Sequence, residues 1–389
     1  MKFFTKKHEM ECRLLYKNHL VDNIYAACTC CYDNSKPIPY LEKKEYIGKR
    51  IDAGHDSVLE HGRLAIIINN IPSSIYENII ELMGMEYCKW LEFYTAQMEN
   101  GDYNLIVNGS IRGYKQLLNN LSGDEYDRNI LIRNIVNILQ ENTVKEFYGT
   151  NKYLEIADFI DIEPDEEDPD AATSSINYSY VSSKSINIPI TKEDKVKMIT
   201  LGLDDDPLID NYINIERLII FSGFSTDIIE RVLAVTVVFY NMSRTATHQL
   251  VRHRNAITQE SQRYVSADDA SFTIPVNEYN DKKFSVSLFG KTETVTLTEL
   301  ANELMGIYSQ LKSQGLKKEE ARSFLPSNVN CGRLYMTFSM DNLIKFLDLR
   351  TDPHAQYEIR QYALAVKSIL DKYNQNNKSE EKKEDKDEV

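Results

Sequence analysis

Two runs rich in β-branched residues constrain this chain more than any other feature. "RLAIIINNI" (63–71) and "RVLAVTVVFYNM" (231–242) both read as buried strands. Their approaches are alike. "HDSVLE", His55 to Glu60, is followed by one histidine, then the first run. "STDIIE", Ser225 to Glu230, is followed by one arginine, then the second. This is a weak internal repeat, and it raises a duplication that so short a pattern cannot settle by itself.

Helical and hairpin signals surround these strands. Thr298 to Leu311 repeats apolar residues at three and four, with Gly315 placed to cap it. Lys317 to Phe324 reads as a second, short helix stopped by Pro326. Met340 to Leu349 and Ala355 to Leu370 have helical period, and "KFSVSLFGKTETVTL" (283–297) reads as a hairpin around Gly290. Asp161 to Ser175 holds seven acidic residues, two prolines and no cation, so it reads as a solvated loop. The C-terminal "NQNNKSEEKKEDKDEV" reads as a disordered tail.

The chain has 389 residues, 42% of them hydrophobic, which suffices for a large core and for two domains. Its net charge of −14 argues against a nucleic-acid or anionic-membrane partner, both of which need a broad basic surface. Neither a signal peptide nor an apolar run near twenty residues is present, so a reduced, cytoplasmic setting is expected. No metal is expected. Cys30 and Cys31 are adjacent and badly spaced for one zinc, and His55 with Glu60 and His61 does not have HExxH spacing. Rossmann, P-loop and hydrolase-elbow motifs are missing as well.

Against the acidic background, "HQLVRHRNAITQESQRYV" (248–265) gathers Arg252, His253, Arg254 and Arg263, with Gln249, Gln259, Ser261 and Gln262 among them. Arginine forks match phosphate oxygens, and amides and hydroxyls suit a base or ribose. The stretch reads as a nucleotide site or as a solvated basic loop, and composition does not choose. Arg322, on the short helix, is either a second anion clamp or an i,i+4 partner of nearby glutamates. Arg350 ends an apolar helix, where it either answers the helix dipole or stabilises negative charge on a bound ring.

Taken together, four blocks in order resemble the flavin-dependent thymidylate synthases: "GHDSVLEH" (54–61), "MSRTATHQLVRHR" with "QESQRYV" (242–265), "EEARSFLP" (319–326) and "FLDLRTDPHAQYEIRQYA" (346–363). The resemblance implies an α+β fold of that family and conversion of dUMP to dTMP. The carbon would come from 5,10-methylenetetrahydrofolate, with reducing equivalents passing from NADPH through FAD. It implies dUMP contacts from Gln249, Arg252, Gln259, Ser261, Gln262, Arg263, Arg322 and Arg350, with Arg350 polarising the uracil. It implies flavin contacts from Arg252, His253, Arg254, His55, Ser57 and Cys31. No cysteine nucleophile is required. Alternatives are a flavin- and folate-dependent modifier giving a different C5 group, and a non-catalytic binding relative.

The chain also departs from the family. The spacer from RHR to SxR is six residues, one or two short of usual. Ser339, Asp341 and Lys345 stand where an Asn-x-Arg and a His or Asn usually hold flavin. The losses are complementary, because the first half keeps His55 and Ser57 without an RHR and the second keeps RHR without them. "NGSIRGYKQLL" (108–118) resembles the missing flavin-side helix, with Asn108, Ser110 and Arg112 as candidates. The expected organisation is therefore two related α/β units in one chain. Residues 1–160 would supply part of the flavin site, 161–200 an acidic linker region, 201–373 the catalytic unit and 374–389 the tail. Two such chains would form a pseudo-tetramer, a homo-oligomer whose ligands are the nucleotide and folate.

Overall fold

A computed structural model describes residues 11–17, 20–30, 40–74, 76, 91–121, 196–199, 219–220, 222–225, 227–268, 270–274, 279 and 282–371. Cys31, most of the expected acidic linker and the C-terminal tail lie outside them. The last four residues described before position 200 belong to a strand, so the expected linker region ends in structure.

The described elements form two four-stranded antiparallel sheets. The first unit contains β1 (Glu11–Lys17), α1 (Leu20–Cys30), α2 (Tyr40–Asp52), a 3-10 turn at Asp56–His61, β2 (Arg63–Ile71), β3 (Leu91–Gln97), β4 (Tyr103–Ser110) and α3 (Ile111–Leu121). The second contains β5 (Val196–Ile199), α4 (Ile228–Val232), β6 (Ala234–Ser243), α5 (Arg244–Leu250), β7 (Ala256–Gln259), a hairpin of β8 (Lys283–Leu288) and β9 (Lys291–Thr296), α6 (Leu297–Ser313), α7 (Lys318–Ala321), β10 (Asn330–Ser339), α8 (Met340–Arg350) and α9 over 357–371. The first apolar run is a strand throughout, with every residue but Asn70 buried; the second becomes a strand at Ala234, its Arg231 and Val232 closing α4 instead. The expected hairpin and helices also form, and Gly315 follows α6 at φ +102, a backbone angle that glycine reaches without strain.

The two sheets share one plan. Their strand orders are β1-β2-β4-β3 and β5-β6-β10-β7. Arg63 opposes Ser110 at the end of the first central pair, as Ala234 opposes Ser339 at the end of the second. Each serine then caps a helix, Ser110 Oγ accepting from Gly113 N at 3.1 Å and Ser339 Oγ accepting from Asn342 N at 3.3 Å. Two residues earlier, Glu92 opposes Asn108 and Ala256 opposes Thr337.

The units interlock through apolar and polar contacts. Ala65, Ile67 and Ile106 of the first sheet share a core cluster with Ile219, Ile228, Val232 and Ala234. A separate cluster under β6, β10, α8 and α9 includes Phe239, Phe338, Phe346 and Tyr362. Burying polar groups between the units requires that they bond one another. Here Thr236 Oγ1 donates to Asn23 Oδ1 at 2.9 Å and lies 2.9 Å from Thr337 Oγ1. His61, fully buried, bridges Thr337 Oγ1 at 2.9 Å and Thr258 Oγ1 at 3.0 Å.

Candidate active site

The RHR segment is fixed from below by α5. Ser243 caps that helix, and its hydroxyl accepts from Ala246 N at 3.2 Å. Glu358, 1% exposed on α9, accepts from Ser243 N at 2.7 Å and from Ser243 Oγ at 2.5 Å. A carboxylate at a helix N-terminus also complements the helix dipole. The lead-in to the arginines is thus anchored by a buried acid that charge patterning in the sequence did not single out.

After α5 the chain tightens into a 3-10 turn, Val251–His253, and leaves it through Arg254 in the left-handed region at φ 53. Asn255 Nδ2 donates to His253 O at 3.0 Å and supports that reversal. Arg252 and Arg254 are exposed, while His253 is half-buried. Arg350, from the end of α8, donates through Nε to His253 Nε2 at 2.8 Å. The acceptor role puts the imidazole proton on Nδ1 and requires a neutral ring. Burial, then the charge of Arg350, lower the His253 pKa to about 4. The ring also meets Phe346 edge-on, with centroids 5.1 Å apart. Burial and the neighbouring Arg252 charge lower the pKa of Arg350. The Arg350 guanidinium therefore bonds a neutral histidine and lies within electrostatic reach of Arg252. Among the described residues no carboxylate pairs with Arg252, Arg254 or Arg350. Like charges left together in this way favour a bound anion.

The remaining expected nucleotide contacts fall into two groups. Gln249 Nε2 donates to Gln356 Oε1 at 3.2 Å. Gln259 ends β7, and Ser261 opens the following turn by accepting from Arg263 N at 3.3 Å. Gln262 Oε1 accepts from Arg244 Nη1 at 2.9 Å, and its buried Nε2 has no partner. Arg263 and Arg322 form the second group, converging on Glu319: Arg263 Nε lies 3.4 Å from its carboxylate, and Arg322 Nε donates to its carbonyl at 3.3 Å. Arg322 thus follows neither sequence reading alone, since its nearest partner is backbone.

Cys331, the buried cysteine nearest this region, has a pKa pushed up to about 11 by burial. Such a thiol stays protonated, which makes it a poor nucleophile. Of the residues following α8, His354 is exposed and bonds Asp352 at 2.9 Å, and Arg360 Nε donates to Thr351 O at 3.3 Å. These are local packing contacts.

The first unit carries its own candidates on and around a turn that packs beside β7. His55 precedes the 3-10 turn and is half-buried, with Ser57 exposed on that turn. The turn packs against β7, where His61 reaches Thr258. Gly62 lets the turn sit close to α1 and α3, since a Cβ there would stand 2.8 Å from Ile24 Cδ1 and 3.0 Å from Ile111 Cδ1. Arg112 pairs with Glu60 on the same turn. Asn108 is placed elsewhere: it is fully buried in β4, donating from Nδ2 to Glu92 Oε2 at 2.8 Å.

Comparison with known proteins places the second unit. A family model described as thymidylate synthase complementing protein matches residues 173–373. Similar proteins include the flavin-dependent thymidylate synthase of Pyrococcus furiosus, 36% identical over 126 residues, which are 31% of this chain and 48% of that protein. Those of Thermotoga neapolitana and Corynebacterium diphtheriae are 35% and 32% identical, over 31% and 35% of this chain and 55% and 56% of theirs. The chain thus spans about half the length of the curated relatives it matches. With the family model covering the RHR turn, β7, Arg322, Arg350 and α9, the chain belongs to the thymidylate synthase complementing protein family.

Proposed function

We propose that the protein is a flavin-dependent thymidylate synthase, converting dUMP to dTMP with 5,10-methylenetetrahydrofolate as carbon donor, FAD as cofactor and NADPH as reductant. The observation that carries this reading is the Arg252–His253–Arg350 centre, which holds two guanidinium groups with no carboxylate among the described residues to neutralise them. A nucleotide phosphate and an electron-rich pyrimidine are anionic partners of the right kind.

The chain's residues divide the work. Arg252, Arg263 and Arg322 suit the phosphate, being exposed or half-buried cations in the turns that flank β7 and follow α7. Arg350 is fixed through Nε on His253, which leaves its two Nη groups to donate to a uracil carbonyl and to stabilise charge developing on the ring. Neutral His253 holds that fork without adding a third positive charge. Arg112, Arg254, His55 and Ser57 have the donor character that a flavin's phosphates and carbonyls require, and bound flavin would supply hydride to the pyrimidine. The buried, protonated Cys331 fits a mechanism without a thiolate nucleophile.

The reading includes two related units in one chain, supported by the shared strand order and register of the two sheets. It also includes association of two chains into a pseudo-tetramer, and a site without metal. The test is an assay of purified protein for a flavin spectrum and for tritium release from [5-3H]dUMP with methylenetetrahydrofolate and NADPH, with identification of the product. A colourless protein without release would overturn it, and a product other than dTMP would replace it with a related C5 modification.

A further inference from the structure

The common plan of the two units makes their helix ends comparable position by position. Ser110 and Ser339 cap α3 and α8, so Arg112 and Asp341 occupy the same second position of their helices. Arg112 pairs with Glu60 on the turn before β2. Asp341 lies 4.0 Å from Arg231, on the segment before β6. The same ion pair is built twice, with the charges exchanged.

The strand facing each helix end differs as well. Opposite Asn108, the edge strand carries Glu92, and opposite Thr337 it carries Ala256. The Glu92 carboxylate reaches across to the second unit. Its Oε1 accepts from Ser339 Oγ at 2.5 Å and from Asn342 Nδ2 at 2.7 Å, while Asn108 Nδ2 donates to Oε2 and Arg63 lies 3.5 Å from it. Two residues along, Tyr94 OH donates to Asp341 Oδ2 at 3.1 Å. The N-terminal end of α8 is thus already occupied by an anion of the chain's own, with a second carboxylate beside it. At the matching end of α3, Gly113 replaces Asn342 and Ala256 replaces Glu92, and the helix offers a cation.

We infer that the chain has one flavin position for its two units: the α3 end receives the cofactor, and Glu92 with Asp341 seals the equivalent position at α8. The cofactor carries a pyrophosphate, and the two ends differ in what already occupies them. At the α3 N-terminus a phosphate oxygen would share Arg112 with Glu60, whereas the α8 N-terminus is filled by Glu92, with Asp341 beside it. Glu92 also takes the Ser339 hydroxyl proton and one Asn342 amide N–H, donors that an incoming phosphate would otherwise use. This inference rests on the proposed flavin dependence.

The test is the flavin content of the full-length protein after saturation with FAD and removal of the excess. Released flavin absorbance is compared with protein concentration. One flavin per chain is expected, and two per chain would overturn the sealed position. None at all would instead overturn the proposed function. Two variants at the same helix position locate the site. Arg112→Ala should weaken FAD binding at least tenfold, read by quenching of flavin fluorescence. Asp341→Ala should leave the ratio at one, with affinity within about twofold. Loss of flavin from Asp341→Ala, with retention by Arg112→Ala, would place the cofactor at α8 and refute the inference. Circular dichroism of both variants separates lost binding from lost fold.

Discussion

Single side chains in this site act mainly by holding other side chains in place. Arg350 has one nitrogen committed to His253, which leaves its Nη groups for the proposed uracil contact. In the proposed reaction, replacing it with alanine removes a donor that matters most when charge develops on the ring. We expect Arg350→Ala to lower kcat by about 100- to 1,000-fold with a smaller change in KM for dUMP, the usual signature of a transition-state contact. Arg350→Lys should recover little, because an ammonium cannot donate to His253 and to the substrate in one plane. Steady-state kinetics of both variants decide the point, and unchanged kcat in the alanine variant would remove Arg350 from the mechanism. Glu358 is the opposite case, a buried acid bonded to the backbone and hydroxyl of Ser243 and remote from the charged rim. Glu358→Ala should cost about 3 kcal/mol of stability, read by urea denaturation, since it orphans buried donors at a helix start. Arginine clustering made the rim legible in the sequence. Glu358 was not legible as a clamp, because only the fold brings α9 under Ser243.

At the level of elements, the periodicities held well: β2 spans the nine residues of its apolar run, and α6, α8 and the β8–β9 hairpin follow their patterns. What periodicity could not show is how the turn at Asp56–His61 is fastened to β7 and β10. That fastening is His61, whose two ring nitrogens meet Thr258 and Thr337 in a fully buried pocket. Burial lowers its pKa from the ordinary 6.5 to about 3. For a base with a depressed pKa, the unfolded state binds the proton first. Stability is therefore fully present above pH 6.5 and falls as pH drops toward 3. Thermal unfolding followed between pH 7 and pH 4 should show a declining melting temperature, and His61→Asn should flatten that decline while lowering stability at neutral pH. A variant with the same slope as the parent would show that other groups carry the acid sensitivity.

For the whole molecule, the decisive fact is that the halves share a core. Ile228, Val232 and Ala234 of the second unit bury themselves against Ala65, Ile67 and Ile106 of the first, and the network through Asn23, Thr236, Thr337 and His61 joins α1 and the 3-10 turn of the first unit to the second sheet. A repeat weakly visible in "HDSVLE" and "STDIIE" thus corresponds to a matched pair of sheets, whereas the charge exchange between Arg112–Glu60 and Arg231–Asp341 became readable only once strand register aligned the two helices. Units joined by a linker alone would melt separately. Units sharing buried apolar and polar contacts should melt together, because opening either one exposes the core of both. Scanning calorimetry of the intact chain should therefore give one transition, with the van't Hoff and calorimetric enthalpies in agreement. A chain lacking residues 1–150 should lose its flavin and aggregate, having bared the Ile228–Val232 face. Two resolved transitions, or a soluble truncated chain with normal flavin content, would show that the first unit is an appendage and not half of the site.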